Sequence, residues 1–217
     1  MEVHGFAVGP IQENAYLVRR DGADRAVLVD PGEEAPRLLA ALDELGVGLD
    51  AILLTHTHFD HVGAVAPVAR ATGAPVYVPE IEKPVLADIM RYVPYDGFGP
   101  FESWDAEETV AGGERLDLAG LDIDVIFTPG HSPGHVVYAI ADEEPGGPAR
   151  LLSGDVLFQG SVGRTDLPGG DWATLEASIA TLLERHDDDA VVYPGHMGVT
   201  TLGRERATNP FLDFART

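Results

Sequence analysis

The chain has 217 residues, a formal net charge of −22 with Lys83 as its one lysine, and no cysteine. That length suits one domain able to bury a large core unaided, and without cysteine there are no thiolate ligands, iron-sulfur clusters, catalytic thiol or disulfides. The acidity repels a phosphate backbone, which excludes nucleic acid as a partner, and no apolar run approaches the roughly 18 residues of a membrane span.

The first residues, Met1-Glu2-Val3-His4-Gly5, carry no basic segment followed by a long apolar stretch, so a cytoplasmic protein is expected. Residues 3–8, 15–18 and 26–29 read as strands, the third stopped by Asp30-Pro31-Gly32. Helical periodicity follows over residues 33–45 through Leu38, Leu39, Leu42 and Leu45, ending at Gly46. The same unit recurs: a strand at 51–54, a polar loop, a helix at 62–71 closed by Gly73, and a short strand at 76–78.

Residues 81–90 read as a helical piece. Beyond them Tyr92, Tyr95, Phe98, Phe101 and Trp104 stand among glycines and prolines, which predicts a lid-like surface loop packed by its own aromatics and able to wall a substrate site. Residues 121–127 alternate as a half-buried strand, and 136–141 and 151–152 form two more around a Pro/Gly turn at 143–148. An amphipathic helix at 175–183 and a strand at 191–193 complete the chain. With no linker or low-complexity segment, a single domain over residues 1–217 with two similar halves is expected.

The polar loop after residues 51–54 is Thr55-His56-Thr57-His58-Phe59-Asp60-His61-Val62-Gly63. In an extended backbone, side chains two apart point the same way, so His56 and His58 can grip one ion while Asp60 and His61 turn toward a second. Other strands end in comparable turns: Val29 leads to Asp30, Phe127 to Thr128-Pro129-Gly130-His131, Leu152 to Ser153-Gly154-Asp155, and Val192 to Tyr193-Pro194-Gly195-His196. Ligands in α/β architectures gather at the carboxyl ends of strands, so these turns can share an edge. Asp30 is expected to brace a ligating histidine through its other ring nitrogen. His135 is expected to brace its own Pro-Gly turn, and His4 and His186 to be structural or solvated.

With these residues assembled, the chain resembles the metallo-β-lactamase superfamily. The His-x-His-x-Asp-His signature and the later His, Asp and His are matched by His56, His58, Asp60, His61, His131, Asp155 and His196. The resemblance implies an α/β fold, an αββα sandwich of two mixed sheets flanked by helices. More narrowly, Asn14-Ala15-Tyr16, residues 157–166 and the tail Asn209-Pro210-Phe211-Leu212 are similar to short bacterial glyoxalase II-like hydrolases. It implies a first metal held by His56, His58 and His131, a second held by Asp60, His61 and His196, and Asp155 bridging. Asp60 and Asp155 are thereby the carboxylates of the catalytic centre. The expected cofactor is two divalent ions, zinc first with iron or manganese as alternatives, since no soft ligand is present. They would activate a water as hydroxide toward a small-molecule thioester, whose thiolate leaves readily at a pKa of about 8.5.

Full-length glyoxalase II enzymes continue into a basic helical region that holds glutathione, whereas about twenty residues follow His196 here, so a weak glutathione preference is expected. Arg164 and Tyr95 are the candidate substrate contacts, with an Arg164–Asp166 ion pair as the plain alternative for the former. Lys83 and Arg91 flank the aromatic segment as surface cations. Two rival readings are an iron-dependent persulfide dioxygenase of the same fold and a non-catalytic metal-binding module.

Overall fold

In the computed structural model, which describes residues 1–93, 95–142 and 146–216, the first 29 residues form an antiparallel meander. Strands β1 (Glu2–Val8), β2 (Glu13–Arg19) and β3 (Arg25–Val29) pair in sequence order. The chain then switches to parallel pairing: β3 pairs with β4 (Gly48–Leu53), β4 with β5 (Val76–Pro79) and β5 with β6 (Glu108–Val110). Parallel neighbours need a crossover, and helical segments supply the first two of these three. α1 (Ala35–Leu45) starts with a proline in its first turn and stops at Gly46, whose φ of 65° is the left-handed conformation glycine adopts without a Cβ penalty. Its Leu38 and Leu42, four apart, bury one face in the same core as the sheet residues Leu28 and Ile52.

The second crossover departs from the expected continuous helix at 62–71. A short α2 (Phe59–Val62) ends at Gly63, and α3 (Val65–Thr72) starts after Ala64. A Cβ at Gly63 would meet the Gly32 carbonyl oxygen at 2.5 Å and the Phe101 ring at 2.7 Å, so the break lets the chain pass close to two neighbours. The helix expected at 81–90 is also divided. Only α4 (Lys83–Leu86) is α-helical, between two 3₁₀ turns, because Pro84 suits a first turn and Asp88 turns out of helical geometry at φ −150°, ψ 57°.

The second six-stranded sheet has the order β14-β13-β10-β9-β8-β7. Its strands are β7 (Arg115–Leu118), β8 (Leu121–Phe127), β9 (Val136–Ile140), β10 (Arg150–Gly154), β13 (Val191–Pro194) and β14 (Thr200–Thr201). A small hairpin of β11 (Leu157–Phe158) and β12 (Ser161–Val162) lies between β10 and β13 in sequence. β8, β9 and β10 run antiparallel in turn while β10 and β13 are parallel, so β8, β10 and β13 all end at one edge. Helix α5 (Trp172–Arg185) is capped by Asp171, whose carboxylate accepts the Thr174 amide at 2.8 Å. It buries Leu175, Ile179 and Leu182 with Val137, Leu151 and Val192, and α6 (Leu202–Thr208) adds Leu202. Each fully buried aliphatic side chain contributes about 1.5–3 kcal/mol.

Two mixed sheets with helices are therefore present, as expected of the fold. By density of contacts the chain divides into two compact units, residues 1–110 with 117–121, and residues 111–116 with those from 122 onward. The short strands β6 and β7 were not expected: both lie at sheet edges and carry charged residues. Residues 143–145 of the expected Pro/Gly turn lie outside the described residues. No helix among the described residues is long and apolar enough to cross a membrane.

Candidate functional site

In the first unit the parallel register sets Val29 opposite Leu53, so the residues that follow β3 and β4 leave the sheet side by side. Asp30 takes a left-handed φ of 47° there and turns its buried carboxylate onto the next loop. Its Oδ1 accepts the Thr55 amide at 2.8 Å, and its Oδ2 accepts the Thr55 hydroxyl at 2.6 Å and Nδ1–H of His61 at 3.1 Å. Because the Thr55 hydroxyl proton goes to Asp30, its oxygen faces Nδ1 of His56, 3.0 Å away, as acceptor. Both histidines are thereby fixed as Nδ1–H tautomers with Nε2 as the acceptor atom.

His56 Nε2 lies 3.1 Å from His58 Nδ1. The edge of a tetrahedral site with nitrogen ligands at 2.0–2.1 Å is about 3.3–3.4 Å, so this separation suits two ligands of one ion. Nε2 of His61 lies 3.9 Å from Asp60 Oδ2, both on the single turn of α2. The loop backbone is pinned separately: the buried Glu82 carboxylate accepts the Thr57 amide at 3.0 Å and its hydroxyl at 2.6 Å. A second buried carboxylate, Glu13, stands 3.6 Å from His61 Nδ1. Sequence reasoning missed both. No local pattern marks Glu13, but the two threonines alternating with histidines do signal hydroxyls in need of acceptors.

In the second unit the turn after β8 is fastened to α5. The Ser178 hydroxyl donates to the Pro129 carbonyl at 2.7 Å and the Asp171 amide to the Gly130 carbonyl at 2.8 Å. Gly130 has φ 129°, and a Cβ on it would lie 2.3 Å from the Leu175 amide nitrogen. This delivers His131, whose Nδ1–H donates to the Arg164 carbonyl at 2.8 Å. Its Nε2 is then an acceptor facing another acceptor, Asp155 Oδ2, at 3.4 Å; His196 Nε2 lies 3.6 Å from the same oxygen. Two such atoms repel unless a cation lies between them, and this donor set of imidazole nitrogens and carboxylate oxygens fits a divalent metal.

His135 braces more than its own turn. Its Nε2 accepts the Asp155 backbone amide at 3.1 Å and its Nδ1 contacts the Thr128 hydroxyl at 3.1 Å. Asp155 is thus held by a histidine read as merely local. His4 pairs with Glu2 at 3.2 Å, and His186 ends α5, where burial pushes its pKa down. Arg164 forms a bidentate pair with Asp166, both bonds at 2.7 Å, and keeps its side chain exposed. Tyr95 is half exposed, and its ring centroid lies 6.3 Å from that of Phe59, between His58 and Asp60, with Phe98 4.9 Å and Phe101 5.9 Å from Phe59. The aromatic segment packs on the ligand loop as well as on itself.

Comparison with known proteins matches residues 8–196 to the metallo-beta-lactamase superfamily. The chain is 36% identical to "Hydroxyacylglutathione hydrolase GloC" of Haemophilus influenzae, over 98% of this chain and 99% of that one. Among solved structures it is similar to "BLEG-1 B3 metallo-beta-lactamase", with a TM-score of 0.90, 39% identity and coverage of 98% and 100%. It is also similar to "TTHA1623 in a di-iron-bound form", with a TM-score of 0.75, 42% identity and coverage of 97% and 100%.

Proposed function

The chain belongs to the metallo-β-lactamase superfamily, and from that premise we propose that it is a dinuclear metal-dependent thioesterase of the glyoxalase II type. In this reading residues 1–217 form one domain, supported by a family match that runs through both compact units. His56, His58 and His131 would hold one ion, Asp60, His61 and His196 would hold the other, and Asp155 would serve both. Zinc is the proposed metal, with iron as the rival because a similar protein is described in a di-iron-bound form. The observation that carries the reading is the tautomer control: Asp30, Thr55 and the Arg164 carbonyl occupy Nδ1 of His61, His56 and His131, leaving Nε2 of each to act as a ligand.

When bound, the two ions supply Lewis acidity toward a carbonyl oxygen and lower the pKa of a water toward neutrality. Protein groups do the rest. Asp30, Thr55 and Glu82 keep the ligand loop from relaxing, and the aromatic cluster on Phe59 gives the substrate an apolar surface. Overall, water adds to the acyl carbon, the carbon–sulfur bond breaks, and the products are a 2-hydroxy acid and a thiol. A leaving thiol with a pKa of about 8.5 needs little protonation, which makes a thiol ester an apt substrate. The GloC relative is matched over nearly its whole length, so a short carboxyl tail is by itself no argument against a glutathione ester.

The test is a panel of substrates offered to protein of measured metal content. Thiol release from S-2-hydroxyacyl esters at about two metals per chain is the expected result. Cleavage of a β-lactam in preference to every thioester would favour the reading suggested by the likeness to BLEG-1. Oxygen uptake on a persulfide, without thioester cleavage, would overturn hydrolysis altogether.

A further inference from the structure

Beside the ligand loop, Glu33 is a carboxylate that the proposed reaction does not use. It follows Gly32, whose backbone packs so closely that a Cβ there would lie 1.8 Å from the Asp60 carbonyl oxygen. Its own half-buried side chain folds over Gly9, where an added Cβ would sit 2.8 Å from Glu33 Cδ. With Pro10, Phe98, Pro100 and Phe101 it lines a cavity of about 540 Å³. Phe98 and Phe101 are the same rings that pack on Phe59, so the cavity adjoins the loop bearing His58 and Asp60.

Glu34 accepts from Arg37 and from the Gly9 amide, both at 3.0 Å, whereas among the described residues Glu33 has no hydrogen bond or ion pair. Burial first, and then the charges of Glu34 and Asp60, push its pKa above the ordinary carboxylate value. A cation seated against Glu33 would offset the first of these, the cost of burying an unpaired carboxylate. Carboxylate plus aromatic faces is also the chemistry that recognises an ammonium group, through charge on one side and the ring quadrupole on the other.

We propose that this cavity receives an ammonium group carried by the thiol portion of the substrate, with Glu33 as the specificity-determining contact. The inference deepens the thioesterase reading and rests on it for the identity of the ligand. It names the class of thiol ester favoured: one whose leaving thiol is an amine or a quaternary ammonium, over one bearing only an anion.

The experiment compares metal-loaded wild type with Glu33→Gln on three esters of one 2-hydroxy acid: thiocholine (cationic), ethanethiol (neutral) and 2-mercaptoethanesulfonate (anionic). Thiocholine is chosen because its quaternary nitrogen cannot capture the acyl group. Intrinsic reactivity cancels when the thiocholine-to-ethanethiol ratio of kcat/KM is compared between the two proteins. That ratio should fall about five- to tenfold in Glu33→Gln, and the penalty on the sulfonate ester should shrink. An unchanged ratio overturns the inference and leaves the thioesterase reading intact. Choline binding, followed by calorimetry on the same proteins, gives an answer independent of turnover. Saturable binding to wild type that weakens in Glu33→Gln supports the cavity even if no thioester is cleaved; no binding to wild type, or equal binding to both, overturns it.

Discussion

The backbone amide of Asp155 donates to Nε2 of His135 at 3.1 Å, twenty residues away in sequence, and both groups are buried. This bond decides which nitrogen of His135 carries its proton. It also sets the direction in which Asp155 presents its carboxylate to His131 and His196. His135→Phe keeps the volume and strands a buried amide, which costs about 1–3 kcal/mol. The expected result is a lower urea midpoint together with reduced metal retention by Asp155's neighbours. Unaltered stability would show that Asp155 is held by its flanking strand alone.

Asp30→Asn tests the tautomer control. The variant weakens three acceptor bonds, from the Thr55 amide, the Thr55 hydroxyl and His61 Nδ1, without replacing a proposed ligand. Partners of this kind typically change metal affinity about 10–100-fold, so chelator competition should strip the variant at a correspondingly lower chelator concentration. Equal affinity in the two proteins would contradict the role given to Asp30.

The two metal groups separate by mutation. His58→Ala should lose one ion and nearly all activity, whereas His61→Ala should lose the other; Asp155→Ala should lose activity together with the second metal. Metal analysis per chain checks all three. Full metal content and full activity in His61→Ala would leave a mononuclear site and move the oxygenase reading ahead.

Gly163→Ala should be among the most damaging single-methyl changes in the chain. Its Cβ would lie 1.8 Å from the Asp155 carbonyl oxygen and 3.1 Å from His131 Nδ1, so the backbone between two proposed ligands has to move. Overpacking of this kind costs about 1–3 kcal/mol. Metal content should fall even under conditions where circular dichroism reports a folded protein.

Arg164 separates side chain from backbone. Its guanidinium holds the Asp166 carboxyl down at about 2, while its carbonyl accepts from His131. A depressed carboxylate pKa contributes stability that is complete above the unfolded value of about 3.9 and is lost as pH falls through the folded value. The pair's contribution is therefore complete and constant between pH 5 and 9 and is lost only in acid, as pH falls toward 2. In Arg164→Ala the nuclear magnetic resonance titration of Asp166 should return to the ordinary carboxylate range with metal content retained. A fall in kcat/KM in that variant, at unchanged metal content, would make the side chain a substrate contact.

The sequence by itself placed the candidate donors at strand ends. Thr55 to His61 follows a run of apolar residues, and the turns holding Asp30, His131, Asp155 and His196 each follow another, so alternation and turn chemistry were enough to find them. The strand at Leu121–Phe127 and the buried face of Trp172–Arg185 were legible for the same reason: their periodicity is local. What holds the donors was not legible. Glu82 meets Thr57 across twenty-five positions, and His131 meets a carbonyl thirty-three positions on, a backbone group that residue identity cannot advertise. Only tertiary structure brings Asp30 to His61 and His135 to Asp155, because sheet register and close glycine contacts, not local pattern, decide which buried polar groups must satisfy each other.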